Sequence, residues 1–522
     1  MSTVIGDLPR INASRRPGAL AIVSGTRRVS WAELEDRANR LARVLIEQHG
    51  LVVGDTVAIL AQNCLEYVEV MFAASKAGVT WTGLNTRHHV NEMEYQLRDS
   101  NSRVLIYQPE VFADTAADLA SGTELRTVAL GREYEELLAG ASDVPVPPHG
   151  DATLPYALTY TSGTTGVARG ALISSRNDLA FANSFVFATE TRVDDVFMVM
   201  LPMFHKGGQF ATLHPMSLGL PLVILPTPDP ESVFSAVAAE RVSIFVGVPT
   251  VMHMFVEHRR TPAGSVHDLS SIRHVTYGSN PIPPQQIREF AETFGCELSQ
   301  IGGMGTEGGI GLSLSSRDHS AAIADPSLEH ILASCGRVQP GVEMRLVDES
   351  GQDVGTGEIG EMLFRGDAYI AGYINQPEAN AKLWRDGWLH SGDLGRRDDE
   401  GYVYYVERLG GRIKTGGETV LAREVEEALS THPDVDMVAV LGVPDERWGE
   451  SICAVVMTSA RGTEDFQGEL QEHVRGQLAG YKVPREIRVV EQMPLTALGK
   501  IARGQVKDLV RTPVVDEQEV SV

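Results

Sequence analysis

The residues of this 522-residue chain whose types and spacing best suit chemistry begin with Tyr160-Thr161-Ser162-Gly163-Thr164-Thr165-Gly166, followed by Arg169-Gly170. Small residues let backbone amides approach polyphosphate oxygens closely, while hydroxyls and a cation supply further donors. The segment lacks the GKS or GKT ending of a P-loop, so on its own it reads either as a phosphate loop or as a polar surface loop. Gly303-x-Gly305-x-x-Gly308, with Asp325 downstream, matches a dinucleotide fingerprint. The GIGLSLSSRDHS that follows is too rich in glycine and serine for the helix that fingerprint requires.

The 160–170 segment resembles the phosphate loop of the AMP-forming acyl-activating superfamily, which holds acyl-CoA ligases, luciferases and peptide-synthetase adenylation domains. Further matches follow in the family's order: Pro202-Met203-Phe204-His205, Thr306-Glu307, Gly357-Glu358-Ile359-Gly360-Glu361, Ser391-Gly392-Asp393, Arg408, Lys414-Thr415-Gly416-Gly417-Glu418, and Pro494 with Gly499-Lys500 and Arg503. The resemblance runs over about residues 151–503 and is weaker upstream.

The resemblance implies a two-step ligase, in which a carboxylate attacks the α-phosphorus of ATP, pyrophosphate leaves, and the thiol of coenzyme A displaces AMP from the acyl-adenylate. It marks Lys500, His205, Glu307 and Thr306 as catalytic. Lys500 would stabilise charge developing at phosphorus, and His205 would orient the acyl carboxylate. Glu307, with Thr165, would help to hold Mg²⁺, a hard cation that takes oxygen ligands. Thr161 to Gly166 and Arg169 would cradle phosphates, and Ser279, Asn280, Gly303 and Met304 would lie along the nucleotide. Asp393, aided by Arg408, would accept both ribose hydroxyls, since a carboxylate has only acceptors. Lys414, Gly416, Gly417 and Glu418 would replace Lys500 at the site for the thiol step. Phe204, Gly207, Gly208, Tyr277, Gly278 and Gly302 would line the acyl pocket, and the mostly small residues of these segments leave room for a bulky, branched or polycyclic acid. Amino-acid-activating relatives usually place Asp after the phenylalanine, whereas His205 follows Phe204 here.

The chain departs from the family at three places. Gly303 stands where an aromatic ring usually stacks on adenine; losing such a platform costs ~1–3 kcal/mol by analogy with base–aromatic stacking. Met304 or Tyr277 is expected to cover the base instead. Leu409-Gly410-Gly411 replaces charged hinge residues, and glycine permits rotation without favouring an end state. Arg169 replaces the usual lysine. Three alternatives stay open: an enzyme weak in adenylation that uses preformed acyl-adenylates, a non-catalytic acyl or nucleotide binder, and transfer to a carrier protein rather than CoA.

Alternating strand and helix patterns position these groups and favour an α/β architecture. Ser30 to His49 reads as a helix capped by Ser30 with Glu33 three residues on. Val57 to Leu60 and Val104 to Tyr107 read as strands, with a helix over Val68 to Lys76 between them. After about Gly336 the rhythm changes to short antiparallel strands. The expected organisation is a large N-terminal domain (residues 1–408) of two α/β subdomains and a small β-barrel-like subdomain. A hinge at 409–411 and a small mobile α+β lid domain over 412–522 follow.

A hydrophobic share of 43% and a charged share of 22% suit a multidomain globular chain. The net charge of -24 argues against a nucleic-acid partner. No stretch approaches a membrane span. Charges and prolines occupy the N-terminus where a signal peptide needs an apolar core, and the four cysteines form no CxxC pair, so a cytoplasmic protein is expected. A homodimer is compatible with the sequence.

Overall fold

The computed structural model describes residues 3–147, 150–161, 168–278, 282–303, 307–309, 311–415, 418–445, 447–458, 466–495 and 501–511. The expected helix after Ser30 forms as Trp31–Arg43, with Ser30 and Glu33 closing a reciprocal capping box, and continues as a π-helical turn Val44–Gln48. The two early strands are Thr56–Leu60 and Ser102–Tyr107, with the helix Leu65–Ala77 between them.

These elements build two largely parallel sheets, as helical crossovers require. One has six strands, in the spatial order Arg126–Ala129, Ser102–Tyr107, Thr56–Leu60, Thr80–Gly83, Pro155–Thr161, Arg169–Ser174. Its last pair is antiparallel, so residues 162–167 connect adjacent strand ends. The other has nine strands and a parallel centre formed by Phe197–Val199, Ile244–Gly247, His274–Gly278 and Glu297–Gly302. A five-stranded antiparallel sheet follows, with Gly360–Arg365, Trp388–Arg397 and Val403–Arg408 side by side. Among the described residues no pairing closes it into a barrel.

The last sheet is made wholly of residues from Arg412 onward: Glu418–Leu421, Arg412–Thr415, Gly449–Met457, Met437–Asp445 and Glu486–Val490. The apolar clusters divide at the same place. One reaches from Ile5 to Tyr404, and two others contain only residues from Ile413 onward. Among the described residues no helix is long and apolar enough to cross a membrane.

Candidate active site

The strand Pro155–Thr161 leads into residues 162–167 and Arg169–Ser174 leads out. Their ends are tied down from outside the sheet. Tyr160 donates to Asp99 Oδ2 at 2.7 Å, and Asn375 donates to the Asp99 backbone and side-chain oxygens. Gly170 leaves room for this, because a Cβ there would sit 2.8 Å from the Tyr160 ring. Arg169 lies over the Tyr373 ring at 5.8 Å, and the Tyr373 hydroxyl donates to Glu307 Oε1 at 2.8 Å. Arg169, at the exit from residues 162–167, and Glu307 are therefore neighbours, although 138 positions apart in sequence.

Asp393 and Arg408 face each other across the strands Trp388–Arg397 and Val403–Arg408. Arg408 Nε lies 2.8 Å from Asp393 Oδ1, yet that oxygen is buried without an aligned hydrogen-bond donor. Just before Asp393 the strand is irregular at Gly392, at φ +68, whose N–H donates to Glu361 Oε1 at 3.1 Å. Glu361 also pairs with His390 at 3.0 Å. Burial lifts the Asp393 carboxyl to about 6; Arg408 pulls it down, and the carboxylates of Glu307, Glu407 and Glu361 push it up. Tyr405 stands in the same field, its proton retained by burial and by the charges of Asp393 and Glu407.

His205 precedes the helix Lys206–Leu218, and its ring lies 4.7 Å from that of the buried Phe204. Gly208 is required by packing, since a Cβ would collide with the Pro202 carbonyl. Gly207 is not: a Cβ there would meet Leu201 and Phe210 only at 3.5 and 3.9 Å. Lys206 does not line a pocket. It is buried and ion-paired with Asp178, which also accepts from Tyr156.

Two sequence expectations are corrected here. Tyr277 neither covers a base nor lines a pocket, because its ring is 0% exposed and its hydroxyl lies 2.8 Å from His319 Nε2. His319 Nδ1 donates to the Ser315 carbonyl and burial lowers that imidazole to about 4, so neutral Nε2 accepts from the tyrosine. Gly278 is likewise buried, and a Cβ there would come 2.6 Å from Ile301 O; Gly302 packs near Cys335, where a Cβ would lie at 3.3 Å. Gly303 has φ +108, and a Cβ would come within 2.8 Å of Gly311 N, so the backbone itself excludes an aromatic residue there.

Two family models match the sequence of this chain. The model of the AMP-binding enzyme covers residues 10–374, and that of the AMP-binding enzyme C-terminal domain covers 424–500. The chain belongs to the AMP-binding enzyme family. It is similar to a feruloyl-CoA synthase from an Amycolatopsis species, 37% identical over 96% of this chain and 98% of that one. An indoleacetate–CoA ligase of Aromatoleum aromaticum is 33% identical over 97% and 98%. The o-succinylbenzoate CoA synthetase of Bacillus subtilis, solved with its acyl-adenylate, superposes with a TM-score of 0.83 at 28% identity, covering 96% of this chain and 98% of that one.

In this AMP-binding enzyme the residues beyond Arg408 form their own constellation. Leu409–Gly411 is a single 3-10 turn. Glu407, 3% exposed, accepts the N–H of Arg408 and the N–H of Arg423, each at 2.7 Å. Arg423 opens the helix Ala422–Ser430, so a carboxylate before the turn satisfies a helix N-terminus after it, where the dipole favours an anion. A Cβ at Gly411 would lie 2.5 Å from Glu407 Cδ. Lys414 and Glu418 belong to paired strands on either side of residues 416 and 417. Arg485 donates to Thr415 at 3.1 Å, and the guanidinium groups of Arg447 and Arg485 lie 4.7 and 4.6 Å from the Trp448 ring.

Ser162, Gly163, Thr164, Thr165, Gly166, Ser279, Asn280, Met304, Thr306, Gly416, Gly417 and Lys500 lie outside the described residues, as does the Thr161 side chain. Lys500 is flanked by an antiparallel bridge between Leu495 and Ile501. Arg503 forks onto Glu426 and donates to the Val440 carbonyl, a structural anchor for the helix Arg503–Arg511. The donor set fits a nucleotide, since the buried Asp393 oxygen lacks an aligned donor and a ribose hydroxyl would supply one. Among the described residues no group of three or more acidic, His or Cys side chains could hold a metal. Glu307 alone suits Mg²⁺ nonetheless, because that ion is bound through one or two carboxylates plus substrate phosphates. Sequence reasoning missed Asp99, Tyr373, Tyr405, Glu407 and the Trp448 cluster. Of these, only the adjacent Arg447 and Trp448 carried a local compositional signal.

Proposed function

We propose that this AMP-forming carboxylate–CoA ligase activates a bulky aromatic carboxylic acid. The observation that carries the substrate reading is Gly207, in the first turn of the helix after His205, where a Cβ would meet only ordinary contacts and packing does not demand glycine. Space beside His205 and Phe204 is therefore kept open for a ligand. Two relatives named for aromatic acids, ferulate and indoleacetate, support the same class.

In the first half-reaction Asp393 accepts the ribose hydroxyls, Arg408 holds that carboxylate in place, and Arg169 with the loop 161–166 takes phosphate oxygens. Glu307 offers an oxygen to Mg²⁺, which neutralises phosphate charge. His205 orients the acyl carboxylate, and Lys500 stabilises charge at the α-phosphorus. In the second half-reaction the small domain turns about residues 409–411 and brings Lys414 to Glu418 towards the adenylate. Trp448, with Arg447 and Arg485, then offers a flat face and two guanidinium groups, which suit an adenine and the phosphates of CoA.

Incubation with ATP, Mg²⁺, CoA and a panel of aryl-propenoic, aryl-acetic, short-chain and fatty acids, read by mass spectrometry, tests the proposal. Acyl-CoA formed selectively from the aryl acids is the expected result. Acetate accepted with rejection of every aryl acid would refute the substrate class. One observation favours a second reading, weak adenylation: the adenine platform is absent at Gly303. Thioester formation much faster from synthetic acyl-adenylate than from acid and ATP would select it.

A further inference from the structure

We propose that Tyr373 is a positioning residue that aims the Glu307 carboxylate at the metal–phosphate side of the site and couples it to the exit of the phosphate loop. The inference rests on the nucleotide-activating reading above.

Glu307 is held at both ends by one short stretch of chain. Its backbone carbonyl accepts the N–H of Ile370 at 3.0 Å, and its Oε1 accepts the Tyr373 hydroxyl at 2.8 Å. One carboxylate oxygen is thus committed to a protein donor, which leaves the other as the oxygen offered to a cation. Carboxylates that ligate metals are commonly hydrogen-bonded in turn, and those partners set their orientation. A carboxylate oxygen has no proton to give, so the Tyr373 hydroxyl is the donor in this pair.

The stretch carrying Tyr373 is itself fixed. Tyr373 bridges Ala171, Leu172 donates to Gly372 O at 3.0 Å, and Ile374 donates to Gly170 O at 2.8 Å. The Asn380 side chain clamps both polar groups of the Tyr373 backbone, accepting its N–H at 2.7 Å and donating to its carbonyl at 2.9 Å. Trp384 donates to the Ile370 carbonyl at 3.0 Å. The tyrosine therefore stands on the edge of the strand that leaves the phosphate loop, with Arg169 of that strand over its ring. A shift of the strand and a shift of the Glu307 carboxylate are mechanically one event.

The test is Tyr373→Phe, which removes the hydroxyl and leaves the ring beneath Arg169. Two equilibrium titrations are compared: ATP binding as a function of Mg²⁺ concentration, and AMP binding in EDTA, which depends on the ribose contacts of Asp393. The variant is expected to need about 10-fold more Mg²⁺ for the same ATP occupancy, with metal-free AMP affinity unchanged. On a Glu307→Gln background the same substitution should add no further Mg²⁺ effect, because its action passes through that carboxylate. Equal weakening of both titrations would mean that Tyr373 only supports the fold, and would overturn the inference. So would an unaltered Mg²⁺ requirement, or full additivity with Glu307→Gln. Failure of the wild-type enzyme to bind either nucleotide would overturn the functional reading together with the inference; the preceding outcomes overturn the inference alone.

Discussion

Replacing Glu407 by glutamine changes one atom type beside the Leu409–Gly411 turn, the proposed hinge, and little of the side chain's volume. The native carboxylate accepts two backbone N–H groups, from Arg408 on one side of the Leu409–Gly411 turn and from Arg423 on the other, both at 2.7 Å. A carboxamide keeps one acceptor oxygen and turns an NH₂ towards the second N–H, so one charge-assisted bond is lost and a donor faces a donor. Hydrogen bonds to charged groups contribute about 1.5–3 kcal/mol, or roughly 10- to 150-fold in an equilibrium constant. The orientation seen here should lose that factor relative to any other orientation of the small domain. Spin labels at Glu136→Cys and Glu472→Cys, two exposed positions on either side of the hinge, report the orientation once the native cysteines are replaced. The distance distribution should gain a second population, and the two half-reaction rates should move in opposite directions. Gly411→Ala, which pushes a Cβ against the same carboxylate, should have the same effect and should not add to it. An unchanged distance distribution in both variants, or equal loss of both half-reactions, would refute the reasoning.

Nucleotide affinity should fall as pH drops through about 6, because the Asp393 carboxyl is raised to that value and must be ionised to accept two hydroxyls. The sign for stability is opposite: a raised carboxyl favours the fold at low pH, and that contribution is lost as pH rises through 6. AMP titrations on either side of pH 6 check the first effect, and Asp393→Asn should abolish the pH dependence. Gly207→Leu should cut turnover of bulky acids by roughly 10-fold or more, at about 1–3 kcal/mol for a mis-sized apolar pocket, while sparing short acids in the same coupled assay. Gly303→Tyr should lower the melting temperature and gain no ATP affinity, because its φ of +108 and the nearby Gly311 amide leave no place for a side chain; tighter ATP binding would contradict this.

What the sequence made legible is short and local, while the candidate site's residues were read from the family resemblance. The Ser30 capping box needs only four adjacent residues, and the cross-strand pairing of Asp393 with Arg408 follows from two strands close in sequence. What escaped is tertiary. All five residues of the strand His274–Gly278 are buried, so alternation says nothing about which face Tyr277 takes, and its partner His319 lies on a later helix. Lys206 reads as a surface charge until Asp178, on another helix, is brought beside it. The reach of Glu407 to Arg423 depends on how the chain turns at residues 409–411, and glycine leaves that turn unspecified.

The contact between Gly303 and Gly311 has a bearing on descent. Both positions are closed to a side chain, since one at 303 would strike the Gly311 backbone, and one at 311 would strike the rings of Phe364 and Tyr369. An ancestor that lost its aromatic residue here and then let the two backbones close together could not recover the ring by a single reversion. Selection acting on nucleotide affinity in this lineage would have to work through other positions. Grafting the missing residue from a relative would meet the same obstacle unless the whole turn came with it.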